Sequence, residues 1–434
     1  MESLLNKVLS IIKPSPEEDK FMENVSNKLI ENIRSFLKNI DAEPLIVGSF
    51  AKKTHLKNTD IDIFIRYSKN YNREFIEKNT IEIGKNILEK YELKYAEHPY
   101  IHGFYSGIEF DIVPCYKIED PGKIMTAVDR TPFHTEYVLK NLKESQRDEV
   151  RLLKQFAKGI GIYGAESKVN GLSGYLVELL IIKYGTFIDT LKNVSKWKSK
   201  TILFLDKKPI NDYDNPLIFI DPVDEKRNVA SALSKENYSL FVIASREFLK
   251  YGNIKFFFPK EPEGDVENII KERNSNIIHV SIKRPNVVDD ILYSQVRKFA
   301  NAMFNILKDF NPTRMSYYVD DDRIHLIIEL LILRLPDVEK HRGPPIYDQN
   351  SEKFIEKWRN RSLSGPYIED MFLYADIKRK YKEPKEIIEN YLKDHSVGKD
   401  IDKFKDTIKV EYTIENIDKK ELLKFILNKF PWEI

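Results

Sequence analysis

Asp60, Asp62 and Asp111 are the residues of this 434-residue sequence whose type and spacing point most directly to chemistry. The stretch Asp60-Ile61-Asp62-Ile63-Phe64-Ile65 opens with polar–apolar alternation and is rich in Ile, the pattern of a strand. Residues two apart on a strand share a face, so Asp60 and Asp62 project together while Ile61 and Ile63 enter a core. Alternation recurs in Ile108-Glu109-Phe110-Asp111-Ile112, with Asp111 on the face of Glu109. If the two strands are neighbours, three carboxylates converge, and their repulsion calls for a positive charge among them. Divalent magnesium fits, because it takes hard oxygen ligands and completes its octahedron with water and phosphates. Two such ions can activate a terminal hydroxyl and stabilise a leaving pyrophosphate in an in-line displacement. Gly48-Ser49 stands before Asp60, with ten residues between. Gly48 permits close approach of the backbone, and Ser49 can donate to a phosphate where a strand turns into a helix. An Asp-x-Asp pair alone equally describes the solvent face of an edge strand. The Gly-Ser turn before it and Asp111 after it favour a site, with Glu109 an exposed or structural neighbour.

The surrounding pattern shows which elements must carry these residues. Leu4, Leu5, Val8, Leu9 and Ile12 predict a short amphipathic helix, and Phe21, Val25, Leu29, Ile33, Phe36 and Leu37 a second over 17–39. A strand at 44–47, the Asp60 strand, a helix over 73–90 and strands near 92–96, 100–105 and 108–115 complete a mixed α and β region of about 140 residues. Helices are expected at 146–158, 173–193 and 235–250. Beyond Phe256-Phe257-Phe258-Pro259, strands and helices alternate at 277–283, 290–308, 314–319 and 324–332, then 383–393, 407–413 and 419–429. No repeat of fixed period and no low-complexity tract stands out.

Several strings resemble those of a known family. They are Tyr95-Ala96-Glu97-His98-Pro99-Tyr100, Asp111-Ile112-Val113-Pro114-Cys115-Tyr116, Ala127-Val128-Asp129-Arg130-Thr131-Pro132-Phe133-His134, Arg151-Leu152-Leu153-Lys154, Gly161-Ile162-Tyr163-Gly164-Ala165-Glu166, Gly171-Leu172-Ser173-Gly174-Tyr175, Asp221-Pro222-Val223-Asp224 and Lys226-Arg227-Asn228-Val229-Ala230. With the Gly-Ser turn and the three aspartates, they resemble the polymerase-β-like nucleotidyltransferases. More closely, they resemble the archaeal-type (class I) CCA-adding enzymes, which are tRNA nucleotidyltransferases. A weaker match, Lys283-Arg284-Pro285-Asn286-Val287-Val288-Asp289-Asp290, extends the likeness; beyond about 300 it rests on length and architecture.

The resemblance implies an α+β multidomain protein: a nucleotidyltransferase head over 1–140, a helical neck over 141–256 completing the nucleotide pocket, a body over 257–303 and 382–434, and a tail over 304–381 that binds tRNA. It implies template-independent addition of C, C and A to the tRNA 3′ end from CTP and ATP. Asp60, Asp62 and Asp111 become the catalytic carboxylates holding two Mg2+ ions, although family members can have Glu at the first. Gly48 and Ser49, with Lys52, become the triphosphate turn. His134, Lys154 and Tyr163 fall at positions used on triphosphate and sugar, and Arg227 at the position that reads the base with the RNA end. From the residues alone, alternatives stand. Arg151, Lys154 and Lys158 form either a cation row or a solvated helix face, and Arg227 pairs equally well with Asp224 or Glu225. Rival readings are another template-independent polymerase, such as a poly(A) polymerase, and a non-catalytic RNA-binding protein with this fold.

Composition bounds the partners. The 70 Lys+Arg and 68 Asp+Glu leave a formal +2, but residues 151–200 hold nine basic and three acidic residues, a local +6. Residues 1–150 balance 22 basic against 25 acidic. A near-neutral total is therefore the sum of an acidic metal region and a polyanion region. Lys196-Trp197-Lys198-Ser199-Lys200 mixes cations with an aromatic, so Lys198 and Lys200 are candidate RNA contacts, as are Lys378, Arg379 and Lys380 in Lys378-Arg379-Lys380-Tyr381-Lys382. In families resembling this one, body and tail grip the acceptor stem and elbow of tRNA. The alternative for each cluster is an ordinary surface: a snorkelling turn at the first, a solvated helix face at the second.

Gly159-Ile160-Gly161-Ile162-Tyr163-Gly164 satisfies G-x-G-x-x-G, but it follows a helical run and reads as a helix end rather than a dinucleotide fingerprint. His98 and His102 are spaced for a metal but interrupted by Pro99 and lack a third ligand; His98 is expected to help shape the nucleotide site. The single Cys115 excludes an intrachain disulfide framework. No apolar run approaches the length of a membrane span, and the N-terminus lacks a signal-peptide pattern, so a soluble cytoplasmic protein is expected. A homodimer is left open.

Overall fold

The head is built around a sheet with helices on one side. The structure, a computed structural model, describes residues 1–95, 98–206 and 208–434. After α1 (Glu2–Ile12), Pro14 breaks the chain, and Ser15 and Glu18 close a capping box at the start of α2 (Pro16–Phe36). There follow β1 (Ala42–Ile46), the single turn α3 (Gly48–Ala51), β2 (Ile61–Tyr67), α4 (Arg73–Ile87), β3 (Lys90–Tyr95), β4 (Pro99–Tyr105) and β5 (Ile108–Tyr116). The sheet order is β1-β2-β5-β4-β3, with β2 and β5 parallel and the other neighbours antiparallel. Ile61, Ile63, Ile65, Phe110 and Ile112 face α2 and α4, burying against Leu29, Ile33, Ile76 and Ile83. On the other face Asp62 and Asp111 share their strands with a second, smaller apolar cluster of Val47, Phe64, Val113 and Cys115.

Helices then take over: α5 (Arg130–Asn141), α6 (Arg147–Gly159), α7 (Gly174–Tyr184), α8 (Phe187–Val194) and, after the short pair β6 (Thr201–Leu203) and β7 (Leu217–Phe219), α9 (Lys235–Tyr251). The single helix expected over 173–193 is two. Gly185 adopts φ +94° after α7, and Thr186 caps α8 by accepting from the Asp189 amide. Phe156, Phe187, Phe248, Phe256 and Phe257 interlock at the centre, mostly edge to face, with ring centroids 5.3 to 5.9 Å apart. Val8 and Ile12 of α1 join this core rather than that of the head.

The chain forms two compact units, Met1–Lys260 with Phe430–Ile434, and Glu261–Lys429. The last residues return to the first unit, where Trp432 stacks on Phe256 at 4.9 Å. In the second unit come α10 (Val266–Arg273), β8 (Asn276–Lys283), α11 (Asp289–Ile306), β9 (Pro312–Val319), β10 (Arg323–Leu330), β11 (Val338–Pro345), α12 (Ser351–Trp358), β12 (Ser364–Glu369), β13 (Phe372–Lys378), α13 (Pro384–Asp394), β14 (Lys409–Glu411) and α14 (Lys419–Leu427). One sheet runs β14-β8-β10-β9 and a second β11-β13-β12. Strands β9 and β10 lie in the stretch expected as tail, yet β10 pairs with β8 over eight residues, which places both in the body sheet. Among the described residues, no helix is long and apolar enough to cross a membrane.

Glu329, buried on β10, accepts from Arg273 at 2.7 and 2.9 Å, from Arg314 at 2.7 Å, from Thr313 at 3.0 Å and from Ser275. Burial opposes its charge, but these donors prevail and hold the carboxyl at about 2. A carboxylate depressed on folding stabilises fully above its unfolded value, and that contribution is lost as pH falls through the folded one. Glu329→Gln should therefore cost about 3 kcal/mol at neutral pH. The gap to wild type in urea denaturation should narrow as pH is lowered from 4.5 towards 2.

Candidate active site

The parallel register of β2 and β5 pairs Asp62 with Asp111, on the sheet face opposite the helices. Asp60, one residue before β2, is exposed beside them. Burial and then the charges of Asp60 and Asp111 push the Asp62 carboxyl up to about 7. Asp111 is raised by burial and eased by His102, whose Nδ1 lies 2.6 Å from Asp111 Oδ1 and whose residue pairs with Asp111 across β4 and β5. Gly48, at φ +68°, presses so closely on this group that a Cβ there would stand 2.0 Å from Asp62 Oδ2. Among the described residues no group of three His, Cys, Asp or Glu side chains is placed to hold a metal ion on its own. The donor set nonetheless suits magnesium, which keeps several waters and substrate oxygens and seldom uses an all-protein cage. Three carboxylates forced to share a face, at an energetic cost visible in Asp62, fit a divalent cation.

Beside the carboxylates is a cavity of about 500 Å³ lined by Gly48, Ser49, Lys52, Lys154, Tyr163 and Glu178 among others. Lys52 and Lys154 are both buried, and Glu178 of α7, with no exposed surface, lies between them. Its carboxylate is 2.6 Å from Lys52 Nζ and 3.6 Å from Lys154 Nζ, and it accepts from the Thr54 hydroxyl at 2.7 Å. Burial alone would raise Glu178; Lys52 and Lys154 hold it low instead. Lys154 is pushed down to about 8, chiefly by burial, against the pull of Glu178.

The expected row of Arg151, Lys154 and Lys158 is thus neither a solvated face nor three equivalent cations. Arg151 is spent on the carbonyls of His55 and Lys53, tying α6 to the turn after α3. Lys158 is exposed at the cavity edge, 5.4 Å from the Tyr163 ring centre. Tyr163 follows the end of α6 and the left-handed Gly161, at φ +81°, as a helix terminus rather than a dinucleotide loop requires.

Arg227 and His134 meet at a residue the sequence did not single out. Arg227 Nη1 and His134 Nε2 each lie 2.9 Å from Asp221 Oδ2. Asp224 is paired with Arg130 at 3.2 Å instead. Arg227, Asp224 and Arg130 line a second cavity, of about 880 Å³. His98 turns to α4, with Nδ1 2.7 Å from Glu77, away from the carboxylates; Ala96 and Glu97 of the same string lie outside the described residues.

The basic clusters are less uniform than their composition. Trp197 is buried and stacked on Tyr238 at 5.5 Å, which removes the aromatic from the surface while leaving Lys198 and Lys200 exposed. Lys378 ends β13, so the second cluster is a strand end and turn, not a helix face. Arg379 there is occupied by Asp309 and Glu339 at 3.6 and 3.7 Å, while Lys378 and Lys380 are exposed.

His102 was weighed only as a metal ligand, and Asp221 was given no role beyond its place in a resembling string; Glu178 was missed, although it stands alone in the apolar run Leu176-Val177-Glu178-Leu179-Leu180. Such a charge in a buried helix demands a partner.

Comparison with known proteins matches residues 26–134 to a nucleotidyltransferase domain, 148–258 to the tRNA nucleotidyltransferase second domain and 273–416 to the CCA-adding enzyme C-terminal domain. The CCA-adding enzyme of Picrophilus torridus is 40% identical over 407 residues, 93% of this chain and 94% of its own. That of Archaeoglobus fulgidus is 38% identical over 412 residues, 92% of each chain. That of Saccharolobus islandicus is 38% identical over 437 residues, 98% of each. With its nucleotidyltransferase head and mixed multidomain architecture, the chain belongs to the CCA-adding enzyme family of tRNA nucleotidyltransferases.

Proposed function

We propose that Asp60, Asp62 and Asp111 form the catalytic, magnesium-binding centre of a CCA-adding enzyme, which extends the tRNA 3′ end by C, C and A from CTP and ATP without a template and releases pyrophosphate. The observation that carries this reading is the pairing of Asp62 with Asp111 beside a cavity floored by two buried lysines. When bound, two magnesium ions supply Lewis-acid activation of the 3′-hydroxyl and neutralisation of the charge that develops at the α-phosphate and on pyrophosphate. The protein's own part is orientation and electrostatics, as is usual for phosphoryl and nucleotidyl transfer.

His102 fixes the rotamer of Asp111. Gly48 and Ser49 bring a turn against Asp62, where a triphosphate can approach the backbone. Lys52 and Lys154 receive the phosphates, and Glu178 keeps two like charges together in a buried place. Tyr163 and His134 meet the sugar and triphosphate, and Arg227 the base. No side-chain nucleophile is required. Lys198, Lys200, Lys378 and Lys380, exposed, are proposed to touch the phosphate backbone of tRNA at its acceptor stem and elbow; Arg379 is a weaker candidate because its charge is already paired.

The test is purified protein with magnesium, CTP, ATP and tRNA lacking its CCA end. Addition should stop after three nucleotides; a long tail would instead indicate a poly(A)-type polymerase, and no addition a binding protein. Asp62→Ala or Asp111→Ala should lower kcat/KM by at least about 10³-fold, and substantial turnover by either would remove the metal assignment. Glu178→Gln leaves two lysines buried around a neutral amide. It should raise KM for both CTP and ATP roughly tenfold and lower the unfolding free energy by about 3 kcal/mol, read from steady-state kinetics and urea denaturation.

A further inference from the structure

Asp221 has no exposed surface and lies between the two cavities, since Tyr175 lines the one beside the carboxylates and Arg227 lines the other. Each of its oxygens is engaged twice. Oδ1 accepts from the Tyr175 hydroxyl at 3.2 Å and from the Val223 amide at 3.0 Å. Oδ2 accepts from Arg227 Nη1 at 2.9 Å and lies 2.9 Å from His134 Nε2. Burial opposes the charge of Asp221, but His134, the Val223 amide and Arg227 hold its carboxyl below the ordinary range, so it is an ionised carboxylate that can only accept. His134 is held a second time by its stack on Tyr175, with ring centres 3.9 Å apart and planes at 16°.

Two consequences follow for the neighbours. Because Oδ2 can only accept, His134 carries its proton on Nε2, and burial keeps the ring below its ordinary pKa, so Nδ1 is left as an acceptor. Arg227 commits Nη1 to Asp221, which fixes the plane of the guanidinium and leaves the rest of the fork for a partner. Neither feature can be set by His134 or Arg227 alone: the stack on Tyr175 orients the His134 ring but does not choose its tautomer, and Arg227, partly exposed, would otherwise turn about its stem.

We propose that Asp221 is a positioning residue for nucleotide selection, fixing the guanidinium plane of Arg227 and the tautomer of His134 so that the pocket prefers CTP and ATP over UTP and GTP. The proposal rests on the reading of Arg227 as the residue that meets the base.

Asp221→Asn tests it, because whichever way the amide turns its NH2 confronts two donors. On tRNA lacking only the terminal A, the ratio of kcat/KM for ATP to that for GTP should fall at least about tenfold, the worth of one charge-assisted hydrogen bond, while kcat with saturating ATP falls less. Arg227→Ala is measured alongside. Selectivity lost in Arg227→Ala but kept in Asp221→Asn overturns the proposal; selectivity kept in Arg227→Ala defeats the base-reading role and the proposal with it. The double variant should be no less selective than Arg227→Ala, and additive losses would count against positioning. A measurement on the wild-type chain avoids any folding defect of the variant. Histidine side-chain 15N NMR, with His134 identified by the signal missing in His134→Gln, should report the neutral Nε2–H tautomer, and an Nδ1–H tautomer overturns the arrangement.

Discussion

Pairing Asp62 with Asp111 across two parallel strands is the constraint on which the rest of the site depends. A slip of one residue would turn Asp111 towards the helices and Phe110 out to solvent, dispersing the carboxylates and opening the core in one step. The register is therefore held by hydrophobic burial, with Ile61, Ile63, Phe110 and Ile112 locked against α2 and α4. The core pays for the electrostatic cost of placing like charges together. Stability and chemistry occupy alternate residues of the same strands, so neither can be altered without regard to the other.

The cationic side of the site is organised by the opposite means. Lys52, Lys154 and Arg151 are withdrawn from water and each is given a specific partner, Glu178 for the first two and main-chain carbonyls for the third. A buried ion pair adds little to stability by itself, because desolvation offsets attraction. What it provides here is a fixed pair of ammonium groups at a cavity wall, where solvated lysines would spread over many rotamers. The basic surplus of residues 151–200 thus divides into buried cations that shape a pocket and exposed ones at its edge and on the surface.

The legible part of this protein was the part written in short-range pattern. Two-residue alternation gave the strands carrying Asp62 and Asp111 and the face those side chains take, although Asp60 stands one residue before its strand. Helical periodicity gave α1, α2, α4, α6 and α9 to within a few residues, but it ran through Gly185, since an apolar face continues on both sides of the break. The partners of buried charge were illegible for a different reason. Glu178 meets Lys52 across 126 residues of chain, and Asp221 meets His134 across 87. Nothing local distinguishes such a carboxylate until the fold closes. Charge runs also misled, because they carry no period: Lys378–Lys382 looks the same at a strand end as on a helix. Sheet membership was illegible likewise, since strand order is decided by pairing and not by sequence position: β9 and β10 join β8 in one sheet.

The stack of Trp432 on Phe256 has a topological consequence. The second unit leaves the first after Lys260 and its chain re-enters at Phe430, so it is an insertion fastened at both ends. A single nick in the stretch 259–265 would leave the second unit still joined to the first by the covalent chain at 429–430, beside residues that the Trp432–Phe256 stack anchors in the first unit.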